Sequence, residues 1–205
     1  MTAQRATRAT RGRRPAGSGT REAIAAAARH QFAEQGYPNT SLRSIAAEAG
    51  VDPRLVLHFF GSKQELFVAV VEFPFQPEAV FERVLGPGRD GVGLRLAQYF
   101  VGVLSDPDAL RVVTGLVRAA ASEEKAAELL RAQVSEQMLL PLADRLGTDN
   151  AQLRAGLVAS QVVGMTMARH VVAIAPLAQA TRKQLVSALA PVLQHYLTGD
   201  LSGKH

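Results

Sequence analysis

Residues 40–66, TSLRSIAAEAGVDPRLVLHFFGSKQEL, leave a folding chain few choices. Thr40 or Ser41 suits a helix N-cap, and Ile45, Ala46 and Ala49 form an apolar stripe at helical spacing. Gly50 stands where that helix must stop, because glycine reaches positive φ without a Cβ clash. Val51 then packs inward, Asp52 caps a second helix, and Pro53 takes its first turn, where a missing N–H costs nothing. Leu55, Val56, Phe59 and Phe60 are expected as apolar anchors, with Arg54 and His58 outward. Gly61 and Ser62 end that helix and begin a third, whose first turn carries Lys63. A cation at that end opposes the helix dipole, so its presence points to an external anionic partner. Two short helices joined by a glycine-containing turn describe a helix-turn-helix, which places its second helix in the DNA major groove. An ordinary corner between two core helices has the same local pattern.

The run IAAEAGVDPRLVLHFFGSKQELF resembles the DNA-binding signature of the TetR family of bacterial transcriptional regulators. Upstream, REAIAAAARHQFAEQGYPNTSLRSIA is similar to that family's first helix and its glycine-aromatic turn, here Gly36–Tyr37. The likeness spans residues 20–70 and rests on separated positions that agree: Phe32, Gly36, Tyr37, Ser41, Ile45, Ala46, Ala49, Gly50, Val51, Phe60, Lys63 and Leu66. Two departures stand out. Leu57 occupies a recognition-helix position where the family often has tyrosine, and Phe59 one where histidine commonly precedes the signature phenylalanine. Leucine cannot bond a phosphate, so a role for Leu57 would be apolar, such as contact with a thymine methyl.

Charge adds a second pointer. The 205 residues carry a net +5, and residues 1–19 hold Arg5, Arg8, Arg11, Arg13 and Arg14 with no acid. Elsewhere bases and acids balance. Such a segment lacks hydrophobic periodicity and is expected to be a basic arm, disordered when free and drawn to polyanions. Arg11, Arg13 and Arg14 are its candidate DNA contacts; a solvated solubility tail is the plain alternative. The absence of cysteine excludes disulfides and cysteine–metal sites. The N-terminal stretch has no apolar core of a secretory signal, and the longest apolar run, 155–175, is broken by Ser160, Gln161, Arg169 and His170. A cytoplasmic location without membrane contact follows as an expectation.

Along the chain the pattern is helical throughout, and no stretch alternates as a strand would. Residues 20–35 form the first helix, with Thr20 as cap and Ile24, Ala28 and Phe32 on one face. His30 and Glu34 lie four apart, a spacing that fits a metal pair, but no third ligand is near, so they read as helix surface. A helix over 62–72 leads to Phe73-Pro74-Phe75-Gln76-Pro77, where two prolines interrupt it. The expected division is a basic arm at 1–19, a helix-turn-helix domain at 20–66 and a larger helical domain at 67–205. After a helix at 78–85, Gly86, Gly88 and Gly91 match the dinucleotide fingerprint G-x-G-x-x-G, but no strand precedes them, so they read as a mobile inter-helix loop. Further helices are expected at 92–104, 107–120, 122–146, 150–173 and 181–197, with Pro141 kinking the third and Pro176 closing the fourth.

The resemblance then implies an all-α protein: a three-helix DNA-binding domain followed by an effector-binding and dimerisation domain. Gly156, Ser160, Gly164 and Ala168 recur every four residues and admit a close helix neighbour, with Leu185, Leu189, Val192 and Tyr196 on the next helix. They either bury in the monomer or, as the family implies, pair two copies into a homodimer. Phe73, Phe75, Phe81, Tyr99, Phe100, Leu104, Val113, Leu116, Met138 and Met165 form a loose apolar set, the candidate lining of a small-molecule pocket, with Tyr99, Arg118 and His170 as polar anchors. For double-stranded DNA with a palindromic operator, Arg43, Arg54 and His58 are candidates for base contacts, and Thr40, Ser41 and Lys63 for phosphates. No cofactor, metal or catalytic set is implied: the histidines are scattered and no G-x-S-x-G elbow is present. A ligand-released repressor is the expectation, with an architectural DNA-binding protein or an all-α enzyme as alternatives. Deleting residues 1–19 is expected to weaken DNA binding and to flatten log K against log[salt], by about 0.9 per engaged arginine. An unchanged slope in a fluorescence-anisotropy titration would leave the arm a solubility segment.

Overall fold

The first helix is built by its inward stripe. In the computed structural model, which describes residues 18–73 and 77–201, α1 (Ser18–Asn39) buries Ile24, Ala28 and Phe32 and so creates the surface on which the next three helices assemble. It starts before the expected Thr20 cap and breaks at Gly36 (φ 76°, ψ 162°), which turns the chain toward Pro38 and Asn39. The helix-turn-helix follows as α2 (Leu42–Ala49), α3 (Pro53–Phe60) and α4 (Lys63–Val70). Ser41, rather than Thr40, caps α2, accepting from the Ser44 amide at 3.0 Å in a reciprocal capping box. Gly50 sits in the left-handed region at φ 66° and donates its N–H to the carbonyls of Ala46 and Ala47. Asp52 accepts from the Arg54 amide at 2.8 Å, with Pro53 opening α3.

Beyond residue 76 the helices are α5 (Pro77–Leu85), α6 (Val92–Val103), α7 (Pro107–Ala120), α8 (Glu124–Leu130), α9 (Leu140–Arg145), α10 (Ala151–Thr166), α11 (Ala175–Gln179) and α12 (Arg182–Thr198). All described elements are helices, so the chain is all-α, with a DNA-binding domain at its N-terminus and a larger helical domain after it. The expected 122–146 helix changes its winding just before Pro141: residues 131–139 wind as a π-helix, and Pro141 sits in the first turn of α9, which continues from it. A second π-wound segment, Met167–Val171, ends α10, and Pro176 opens α11 rather than closing the helix before it. The 86–91 loop is not loose: the Arg95 guanidinium donates to the carbonyls of Val84, Gly88 and Asp90, and Arg89 to that of Leu146.

Two hydrophobic clusters share the interior. One joins α1 to α4 with Leu116, Ala119 and Ala126 from α7 and α8. The other gathers α5, α6, α9, α10 and α12 around Leu96, Leu142, Val158 and Leu193. Helix α6 lies so close on α12 that a Cβ at Gly93 would fall 2.3 Å from the Gln194 amide nitrogen, so only glycine fits. Its own N–H donates to Gln194 Oε1 at 2.9 Å.

Arg154, with only 2% of its surface exposed, ties α10 to α12. Its Nε donates to the Asp149 carbonyl at 2.6 Å, its Nη1 to the Tyr196 carbonyl at 2.9 Å, and its Nη2 to the Asp149 carboxylate. Replacing Arg154 with Ala leaves these carbonyls unpaired beside a void, and should cost roughly 2–3 kcal/mol of stability in urea unfolding. A cost below about half a kcal/mol would show that water replaces the guanidinium there.

Candidate nucleic-acid interface and effector cavity

The reading head is held by a polar network that apolar periodicity does not reveal. Gln31, buried next to Phe32 on α1, donates from Nε2 to Glu48 Oε2 at 2.6 Å and accepts at Oε1 from the Ser44 hydroxyl at 2.7 Å. The Gln31 carbonyl accepts from Thr40 Oγ1 at 3.1 Å, and that hydroxyl also reaches the Gly36 carbonyl at 3.0 Å. Thr40 is 2% exposed, which corrects its expected role: its hydroxyl is engaged inside the protein and is not available to a phosphate. His30 bonds Glu48 Oε1 through Nδ1 at 2.9 Å, which separates it from Glu34. Glu48 is held below the usual carboxylate range by the Gln31 hydrogen bond first and by His30 as well, against some desolvation.

On that scaffold α3 buries Val56 and Phe60 and exposes Arg54, Leu57 and His58. Leu55, expected as an anchor, is 38% exposed and joins Leu57, at 48%, on the open side. Ser41 and Arg43 are exposed at the start of α2. Lys63 does not need an external anion to explain it. Its ammonium lies 4.4 Å from the centroid of the Tyr37 ring, and burial pushes its pKa down. Arg21 lies similarly over Phe60, at 4.9 Å. Arg11, Arg13 and Arg14 fall outside the described residues.

In the larger domain an apolar cavity of about 40 Å³ has no polar wall. Of the expected lining, Phe73, Tyr99, Phe100, Leu104, Val113, Leu116 and Met138 do line it, joined by Leu96, Val103, Val134, Val162 and Thr166 among others. Phe81 does not: it is buried elsewhere, with the Arg145 guanidinium 3.9 Å from its ring centroid. Met165 borders a separate small hollow between α6 and α12, and Phe75 lies outside the described residues. Arg118 and His170 are not anchors of this cavity. They line a cleft of about 300 Å³ on the opposite side of α7, facing residues 35–39 of the head. His170 Nε2 and Arg111 Nε are buried there without a hydrogen-bond partner among the described residues. Desolvation, aided by Arg169, lowers the His170 pKa and favours its neutral form.

The dimer candidates also divide. Gly156, Ser160 and Gly164 are exposed, and a Cβ at either glycine meets no atom within 4 Å, so this face of α10 carries no neighbour within the protomer. Ala168 follows on the π-wound segment, half-buried. Leu185 (6% exposed) and Leu189 (4%) are core residues of the protomer, which removes them from an interface. Val192 and Tyr196 are half-buried. Among the described residues no helix is long and apolar enough to cross a membrane, and no group of three or more acidic or histidine side chains is placed to hold a metal.

Comparison with known proteins agrees with this geometry. Residues 24–70 match the model of bacterial regulatory proteins of the tetR family, and residues 90–197, over half of the chain, match the tetracyclin repressor-like C-terminal domain. The chain belongs to the TetR family. A TetR-family transcriptional regulator from Pectobacterium atrosepticum is 24% identical, with 89% of this chain and 96% of that one covered at a TM-score of 0.62. NalD, the secondary repressor of the MexAB-OprM multidrug efflux pump in Pseudomonas aeruginosa, is 23% identical, with 90% and 99% covered at 0.57. A TetR-family regulator from Streptomyces coelicolor A3 is 35% identical over 91% and 98% of the chains, at 0.44. No curated protein matches the chain.

In this TetR-family transcriptional regulator, then, the head is a packed, hydrogen-bonded unit whose outer face is α3 and the start of α2. Thr40→Val should lower stability by about 1 kcal/mol through the lost internal hydrogen bonds. It should leave the salt dependence of DNA binding unchanged, measured by anisotropy between low and moderate salt. A flattened slope would return Thr40 to the phosphate contacts.

Proposed function

We propose that this TetR-family regulator is a homodimeric repressor that occupies a palindromic operator and is released by a mostly apolar small molecule. Each protomer presents α3 to a major groove, where Arg54 and His58 read base edges, Leu57 meets an apolar base surface such as a thymine methyl, and Arg43 and Ser41 hold the flanking groove and backbone. The N-terminal arginines add phosphate contacts, and the protein works in the cytoplasm. Repression needs only occupancy of promoter DNA, so the exposed α3 row suffices for it.

The observation that carries the ligand response is the position of α7. Val113, Leu116 and Val117 form part of the cavity wall, while Arg111, Thr114 and Gly115 on the other side of the same helix face the Gly36–Asn39 turn of the head. Phe73, just beyond α4, adds a second link, because it lines the cavity and packs against both hydrophobic clusters. A ligand that widens the cavity displaces α7 and α4 together and changes the distance between two recognition helices. It does so only as far as it binds the DNA-incompetent arrangement more tightly, a coupling of roughly 1–3 kcal/mol, or about 5–150-fold in affinity. Titrating apolar ligands onto the dimer with bound DNA tests this: stabilisation without any change in DNA affinity would favour the architectural reading.

Dimerisation uses the open face of α10. Gly164→Leu should give folded, thermally stable monomers in light scattering that bind DNA poorly, because the glycine has no neighbour within the protomer to clash with. Unfolding, or an intact dimer, would remove this face from the interface. Arg54→Ala should relax preference at one position in each half-site by roughly 1–3 kcal/mol in a binding-site selection. Equal weakening on specific and random DNA would make Arg54 a phosphate contact.

A further inference from the structure

Phe73, Tyr99 and Val103 line both the apolar cavity and a cleft of about 1380 Å³ on the outer side of α6, so these residues form the collar that stands between chamber and vestibule. The vestibule's charges are unequal in availability. Arg95 is engaged with three backbone carbonyls, Asp106 caps α7, and Asp108 pairs with Arg111. Arg83, Arg182 and Lys183 are exposed and have no ion-pair partner among the described residues; of the three exposed carboxylates, Asp106 and Asp108 are engaged in those contacts and Glu72 has no ion pair there. Arg83 is close enough to the Tyr99 phenol to counter part of the upward pull that burial exerts on its pKa. Arg83 thus lies on the Tyr99 side of the vestibule, and Arg182 and Lys183 line the same cleft.

We infer that the ligand of this site is an anionic amphiphile: an alkyl or aryl chain enters the cavity through the Phe73–Tyr99–Val103 collar, and a carboxylate or phosphate head stays in the vestibule on Arg83, Arg182 and Lys183. The inference rests on the effector reading above and narrows it. A purely apolar molecule would make no use of those cations, and a cationic head would be disfavoured beside them. An anionic head gains charge-assisted hydrogen bonds there without entering the apolar chamber, where it would have no partner. The chamber is narrow, so the chain must displace its wall. That wall includes Val134, Met138 and Leu139 of the π-wound segment 131–139, a winding that recurs at functional sites, and methionine repacks readily around new shapes.

Calorimetric titration of the full-length dimer with octanoate, octyl phosphate, octan-1-ol and octylamine separates the possibilities. At least one of the two anions should bind roughly tenfold or more tightly than the alcohol, and the amine most weakly. The better anion identifies the head as planar carboxylate or phosphate. Its advantage should shrink toward one in Arg83→Gln/Lys183→Gln, and in about 0.5 M salt. These side chains are exposed, so the variant keeps its fold, checked by its unfolding temperature. Alcohol binding as tightly as either anion, an anion preference that survives Arg83→Gln/Arg182→Gln/Lys183→Gln, or no binding by any chain would overturn the inference. A parallel anisotropy arm on DNA selected by the protein reads the effector function separately. Octan-1-ol releasing DNA as well as octanoate defeats the ligand class and leaves ligand release standing. Tight, anion-selective binding that never alters DNA affinity does the reverse.

Discussion

The close contact of Tyr37 and Phe67 with Gly115 is the constraint on which the rest of the molecule depends. A methyl group at Gly115 would lie 3.0 Å from the Phe67 ring and 3.1 Å from Tyr37 Cβ, tighter than ordinary packing. The two rings also meet each other and Phe32, with centroids 5.0–5.9 Å apart. One aromatic cluster thereby joins the turn after α1, the middle of α4 and the flank of α7. Its glycine lets a long helix of the larger domain lie directly on the reading head. The Glu65–Lys125 ion pair adds a link between α4 and α8 at the periphery, where its solvent exposure limits its worth.

That junction gives the larger domain a mechanical hold on the head. Interiors packed at crystal-like density transmit displacement instead of absorbing it. Helix α7 has the cavity on one side and the head on the other. The head in turn resists internal deformation because Gln31, Thr40, Ser44 and Glu48 satisfy one another across α1 and α2, and a buried polar network with its partners in place tolerates little change of angle. Helix α7 is thus the element through which the proposed coupling would have to pass. The path through α4 and Phe73, the more visible one in the chain, runs parallel to it.

The irregular winding and the unpartnered polar atoms lie elsewhere. Both π-wound segments lie in the larger domain: one forms a wall of the cavity, and the other carries His170 into the cleft against residues 35–39. The unpartnered His170 Nε2 and Arg111 Nε mark that cleft as incompletely satisfied, in contrast to the head.

Local chemistry in the chain was enough to place the helices and the turn of the head, though not to tell a helix-turn-helix from an ordinary helical corner: the Ser41 and Asp52 caps, the left-handed Gly50, Pro53 at a first turn and the stripe Ile24–Ala28–Phe32 all act within a few residues of themselves. Large apolar side chains also read as buried, but that seven of them line a cavity was implied by the family resemblance and not by local rules. Those rules failed where the deciding partner is distant in sequence. Thr40 reads as an exposed cap until the Gln31 and Gly36 carbonyls are brought to its hydroxyl. Lys63 reads as a cation awaiting phosphate until Tyr37 folds beneath it. Leu185 and Leu189 read as a seam between copies until α6 closes on them, which the small size of Gly93 permits. Arg118 and His170 read as pocket anchors, but helical rotation turns Arg118 to the far side of α7, where the π-wound segment brings His170 to the same cleft. Periodicity states that a face is buried; only the tertiary fold decides against what, because that depends on which helices the long-range contacts bring together.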